Sequence, residues 1–271
     1  SGGGIGIYLY YSYNNILTNN TGTSNSYIGI NLQTSSNNTL TSNKGTSNSR
    51  TGLTFSYSSS DNTIMNNNFT GNTSYGIYLT GSSNNTLINN NGTSNIVSGI
   101  QIESSSNNNI LINNTGTSLN GVVWGNVGIL IHTSLNNILT NNLGTGNLRE
   151  GIFVYSSSNN TLTNNTGISN SSYGIRLDTS SNNTLTNNTG TSNSSMGIDL
   201  SSSSNNTLLY NNGTSSTNAG IYLTGSTNNS LINNTGISFN GSIWGSNGIM
   251  LYSSSNNTLT NNAGLGNSRE G

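Results

Sequence analysis

One hydrophobic pattern runs through the chain from end to end. A glycine followed by an aliphatic residue, with a second aliphatic two places later, recurs at Gly6, Gly29, Gly52, Gly76, Gly99, Gly128, Gly151, Gly174, Gly197, Gly220 and Gly248. The spacing is about 23 residues, within the range of repeat architectures. Three apolar columns keep register along it. The first begins Ile7, Ile30, Leu53 and ends at Ile249; the second begins Leu9, Leu32, Phe55 and ends at Leu251; the third begins Leu17, Leu40, Ile64 and ends at Leu259. The first two columns are two residues apart, the strand period, so both point to one side. No segment carries a helical stripe, and the Asn, Thr, Ser and Gly that fill the other positions are poor helix formers. The pattern therefore predicts a coil of short strands joined by polar bends, each coil stacked about 4.8 Å above the last.

The bends have their own signature. An Asn-Asn pair recurs at 14/15, 37/38, 84/85, 136/137, 159/160, 182/183, 205/206, 228/229 and 256/257. Asparagine tolerates left-handed backbone angles and can hydrogen-bond from coil to coil. Proline is absent, as expected where nearly every N–H serves a ladder. The stretch GIYLTGSSNNTLINN at 76–90 resembles the NosD-type repeat, a form of the pectate-lyase-like β-helix found in many archaeal and bacterial cell-surface proteins. The resemblance covers essentially the whole chain. It implies an all-β fold, a single-stranded right-handed parallel β-helix (solenoid) of about eleven coils, roughly 50 Å long.

A longer period lies over the short one. Five coils separate Gly128 from Gly248, and NLREG at 147–151 returns as NSREG at 267–271. GVVWG at 121–125 likewise returns as GSIWG at 241–245, and these inserts, near 119–127 and 239–247, hold both tryptophans. Residues 1–271 are read as one solenoid with two short loop inserts, a segment of a longer repeat protein.

Composition narrows the function classes. The chain is 29% hydrophobic and 4% charged, against roughly 45–50% and 25% in ordinary domains. It cannot fill a round core, yet it lacks the high charge of disordered chains. A net charge of −1 and the absence of any basic run argue against nucleic acid as a partner. No apolar stretch approaches the ~20 residues of a membrane span. Without cysteine there is no disulfide framework or thiolate site.

Candidate chemistry is sparse. The carboxylates are Asp61, Glu103, Glu150, Asp178, Asp199 and Glu270. The strand period places Arg176 and Asp199 in one outward column of adjacent coils, with Asp178 beside them. Two carboxylates there could serve as acid and base on a polysaccharide. The simpler reading, adopted here, is a surface cross-strand ion pair contributing under about 1 kcal/mol. His132 has no second ligand at metal spacing, and Met65, Met196 and Met250 fall in different coils, so neither metal nor cofactor is expected. Asn-x-Ser/Thr sequons make Asn37, Asn84, Asn113, Asn159, Asn182, Asn205 and Asn256 glycosylation candidates. Thr-x-Thr at 39–41, 161–163, 184–186 and 258–260 resembles an ice-binding ladder, but Met65, Ile88, Ile112, Leu209 and Ile232 interrupt it.

Those interruptions form outward apolar patches in phase with the inserts. Trp124, Trp244, Ile112 and Ile232 are therefore contact candidates, with Tyr8, Tyr10, Met250 and Tyr252 at equivalent outward positions. The functional expectation is a non-enzymatic structural repeat protein. It would form part of an extracellular or cell-surface filament, sheath, stalk or adhesin, with itself as the main partner. A glycan-binding or polysaccharide-processing module is the alternative, and ice binding a remote one.

Overall fold

The computed structural model describes residues 4–120, 125–240 and 246–267. Over them the chain winds as a right-handed parallel β-solenoid of eleven coils, with three strands per coil in three eleven-stranded sheets. Sheet 1 starts at Ile7–Tyr10, sheet 2 at Ile16–Thr18 and sheet 3 at Thr21–Ser24. Each strand pairs in parallel with its equivalent one coil away, like residue on like residue: Ile175 on Ile198, Leu185 on Leu208, Gly190 on Gly213. No helix occurs among the described residues.

The three apolar columns form the core. Sheet 1 contributes two and sheet 2 one, and from Ile30 to Leu231 these side chains are fully buried. Sheet 3 turns a glycine and a serine inward instead. The glycine allows sheets 3 and 1 to approach at an acute corner, where a Cβ on Gly190 would overlap the Gly197 carbonyl. Phe69 takes this place in the third coil and is fully buried. A thin prism of this kind needs little apolar mass, which reconciles the poor hydrophobic content with an ordered interior.

Corners are made by left-handed residues at three places in each coil, doubled at the first place by Tyr57 with Ser58 and by Ser104 with Ser105. In one coil they are Thr179 (φ 51°), Asn182 (φ 59°) and Asn187 (φ 54°). After the second and third of these sits a buried asparagine whose amide continues the ladder where no strand can. The Asn183 backbone N–H donates to Asn206 Oδ1 at 2.8 Å, and its Nδ2 donates to Asn206 Oδ1 at 3.2 Å, to the Ser157 carbonyl at 3.1 Å and to the Ser181 carbonyl at 3.2 Å. Asn188 repeats the scheme toward Asn211, with N and Nδ2 at 2.9 and 3.0 Å from its Oδ1. At the first corner, serines take over, and the Ser180 N–H donates to Ser203 Oγ at 3.0 Å. The second ladder runs from Asn20 to Asn262 and is also marked by an Asn-Asn pair in most coils, with Ser42 and Tyr210 replacing its leading asparagine.

The two members of each Asn-Asn pair thus do different work. Asn183→Ala leaves the buried N–H of Asn160 without its acceptor and is expected to cost about 3 kcal/mol or more. Asn182→Gly, at an exposed left-handed corner, is expected to stay within about 1 kcal/mol of the parent. Urea midpoints of the two variants check the contrast.

Candidate functional site

With the inward positions given to the ladders, chemistry is confined to outward rows. Sheets 2 and 3 turn mostly threonine, asparagine and a few aliphatics outward. Sheet 1 differs over its middle coils. One of its outer rows runs Tyr78, Gln101, Leu130, Phe153, Arg176, Asp199 in successive coils, and the row beside it holds Glu103, His132, Tyr155 and Asp178. In a chain with so few charges, Glu103, Arg149, Glu150, Arg176, Asp178 and Asp199 all lie in these coils.

Arg176 is the hub. Its Nη2 lies 3.0 Å from Asp178 Oδ2, its Nε 3.1 Å from Asp199 Oδ2 and its Nη1 3.5 Å from Glu150 Oε1. Arg149 adds a second cation, with Nε 3.3 Å from Glu150 Oε2. The guanidinium of Arg176 also stacks over Tyr173 at 4.6 Å and over Phe153 at 5.5 Å. This corrects the expectation of an exposed surface pair. Asp199 is 2% exposed and Glu150 is fully enclosed, so desolvation competes with attraction instead of water screening both.

Two guanidiniums face three carboxylates, and the excess negative charge has a consequence. Burial pushes the Asp199 carboxyl up to about 7, against the pull of Arg176. Burial also works against the charge of Arg176, but Asp199, Tyr173, Asp178 and Glu150 outweigh it and hold its pKa above the ordinary value.

Beside this cluster is a cavity of about 610 Å³, lined by Tyr75, Gln101, Leu130, His132, Phe153, Tyr155, Arg176 and Asp178 among others. Aromatic rings pave it. His132 stacks on Tyr155 with centroids 5.0 Å apart, and Phe153 lies 5.5 Å from Tyr155. Val127, Leu130 and Phe153 make a small apolar cluster outside the main core. Polar groups border it. Glu103 accepts from the Tyr78 hydroxyl and from Gln101 Nε2, and lies 3.6 Å from His132 Nδ1. Burial and the Glu103 contact raise the Tyr78 pKa.

The sequence-based contact candidates do not converge here. Trp124 and Trp244, like Glu270, lie outside the described residues. Ile112 and Ile232 stand on the outer face of sheet 2. Tyr8 and Tyr10 belong to the first coil of sheet 1, and Met250 with Tyr252 to the last. The first insert falls between the strands ending at Ser118 and beginning at Val127, and Gly125, its first described residue after the tryptophan, lines the cavity with Leu130. All seven sequon asparagines are exposed at left-handed corners. Sequence reasoning missed Tyr75, Glu150, Phe153, Tyr155 and Tyr173 as site residues. The available signal was that Tyr75, Glu150 and Tyr173 each directly precede the coil-opening glycine, a position otherwise small or aliphatic in most coils.

A raised carboxyl pKa gives a definite sign to the pH dependence. The folded state holds the Asp199 proton up to about 7, whereas the unfolded chain releases it near 3.8. Unfolding therefore releases a proton between those values, and stability falls as pH rises through that window. Asp199→Asn removes this term. The melting temperature of the parent, relative to that of the variant, is expected to fall between pH 4 and pH 7 and to level off on either side.

Comparison with known proteins agrees with the fold. A family model described as "Right handed beta helix region" matches residues 1–116, and one described as "Periplasmic copper-binding protein (NosD)" matches residues 91–238. A search of curated proteins finds no match. Two solved structures are similar. One is a variant of the periplasmic alginate epimerase AlgG, at 17% identity and TM-score 0.42, covering 86% of this chain and 47% of that one. The other is the A-module of the Azotobacter vinelandii mannuronan C-5 epimerase AlgE6, at 16% identity and TM-score 0.44, covering 94% of this chain and 81% of that module. The chain thus spans about half the length of the first epimerase. The expectation of a non-enzymatic chain is corrected: both similar structures are epimerases, and a β-helix does not by itself exclude catalysis.

Copper, in contrast, does not fit the donors present. The metal favours imidazole, thiolate and thioether ligands. The chain has one histidine and no cysteine. His132 neighbours Glu103, and Met65, Met196 and Met250 lie coils apart. Among the described residues no group of three His, Cys, Asp or Glu is placed to hold a metal ion. What the matches establish is the lineage: with residues 91–238, more than half of its length, fitted by that family's model, the chain belongs to the NosD family.

Proposed function

We propose that this chain is an exported glycan-binding β-solenoid that holds a polysaccharide against the outer face of sheet 1. The observation that carries the reading is the aromatic-paved cavity over Leu130, Phe153 and Tyr155, bordered by the Glu103, His132 and Arg176 side chains. Flat rings with polar groups at their rim match the apolar faces and hydroxyl edges of pyranose rings. Export is supported by the periplasmic description of the family and of one similar structure.

Charge selects among glycans. Even with Asp199 partly protonated near neutrality, Glu103, Glu150 and Asp178 outnumber Arg149 and Arg176 in this region, and Arg176 is already committed to its carboxylate neighbours. A uronate polymer would meet an excess of like charge, so a neutral glycan is favoured.

A second reading, self-association into an extracellular filament, is supported by the five-coil recurrence. It sets Met250 and Tyr252 on the same two outer rows of sheet 1 as Leu130 and His132. Axially striated fibres in native material would favour it, and uniform single particles would count against it.

Isothermal titration against neutral and uronic oligosaccharides tests the first reading. Phe153→Ala and Tyr155→Ala are each expected to weaken neutral-glycan binding about tenfold, equivalent to about 1.4 kcal/mol. Thr184→Ala, on the far side of the coil, is expected to change nothing. Equal affinity for uronic chains, or no effect of the aromatic truncations, overturns the assignment.

A further inference from the structure

A second depression of about 420 Å³ lies on the same face over the first four coils, meeting the first cavity at Tyr75, which lines both. Its floor is the outer row in which Asn31 and Thr54 stand between Tyr8 and Tyr78. Tyrosine rings enclose it. Tyr75 and Tyr78 stack at 4.2 Å at one end, and Tyr27, with the Arg50 guanidinium 4.8 Å above its ring, forms a wall. Tyr8 and Tyr57, 46% and 71% exposed, present their rings to solvent at the rim.

Asn31 is the decisive residue. It is 5% exposed, yet its Oδ1 accepts no hydrogen bond. The buried ladder asparagines of this fold spend their amides on the next coil, as Asn38 does toward Asn62. Asn31 belongs to no ladder. It lines the depression, and an enclosed acceptor with no donor is a standing cost to the folded protein. A single water would satisfy Asn31 but would leave the tyrosine rim without a role.

We propose that this depression is a second sugar-binding site, in which a pyranose hydroxyl donates to Asn31 Oδ1 while the ring lies against Tyr8 and Tyr57. The proposal deepens the glycan reading given above, because the shared Tyr75 lets one extended chain occupy both depressions. Its own support, the orphan amide and the tyrosine rim, is separate from that of the Phe153 cavity.

The test uses the whole chain and one neutral series, cello-oligosaccharides, in a short member that fits one depression and a long member that spans both. Tyr57→Ala and Asn31→Ala are each expected to weaken binding of the long oligomer about tenfold. Binding of the short oligomer at the Phe153 cavity is expected to stay the same. Since Tyr57 is exposed, its truncation keeps the fold. Asn31→Ala is expected to leave the melting temperature of the free protein unchanged or higher, because it removes an unpaired acceptor.

Loss of thermal stability in Asn31→Ala with unchanged affinity assigns the amide to structure and overturns the proposal. Weakening by Phe153→Ala alone also overturns it and leaves the first reading standing. Weakening by Tyr57→Ala and Asn31→Ala alone sustains the second site and overturns the first. Absence of binding by either oligomer overturns both.

Discussion

Asparagine amides at two corners of each coil, buried in all but the end coils, carry the hydrogen-bond ladder around bends that strands cannot cross. Each spends its side-chain N–H groups on carbonyls and on the amide of the next coil, and its own oxygen receives two donors from the previous one. Such an arrangement tolerates no slip, since a shift of one residue would bury an unpaired amide in each coil. Register, coil length and the straightness of the aliphatic columns all follow from that demand. The interior is narrow, and a prism whose polar corners are satisfied does not need the apolar mass of a round domain.

The same constraint decides where the chain may vary. Inward positions belong to the ladders. Added length enters between sheet 3 and sheet 1, as it does between Ser118 and Val127. Outward positions are free, and on sheet 1 they carry an ion cluster whose burial is costly in isolation. A scaffold held by repeated, fully paired ladders can carry that local cost over a few coils. The resulting face combines rings, amides and committed charges.

How much of this was legible in the residues differs by position. Ile175, Leu177 and Leu185 announce themselves, because a period of two within a period of about 23 admits one placement for each. The outward direction of Arg176 and Asp199 was equally readable, and so was their adjacency. Their burial was not, because alternation along a strand gives direction and says nothing of what closes over it. Arg176 and Tyr173 close over Asp199 from the coil before it, and Glu150 reaches Arg176 from one coil further back. The glycine of TGTS was visible as a repeated letter, but its reason, the near contact of two sheets at a corner, belongs to the cross-section.

By itself, then, the sequence determined the coil: its period, its three apolar columns, its recurring asparagine pairs and the side to which each residue points. These depend on interactions between equivalent residues of neighbouring coils, which a repeat displays directly. Only the tertiary structure decided which outward residues are enclosed, that Asn31 Oδ1 is left without a donor, and that Tyr75 lines two depressions at once. Those features arise between non-equivalent residues on different coils and at a corner. Their distances depend on how the prism is closed, a quantity that no periodicity along the chain encodes.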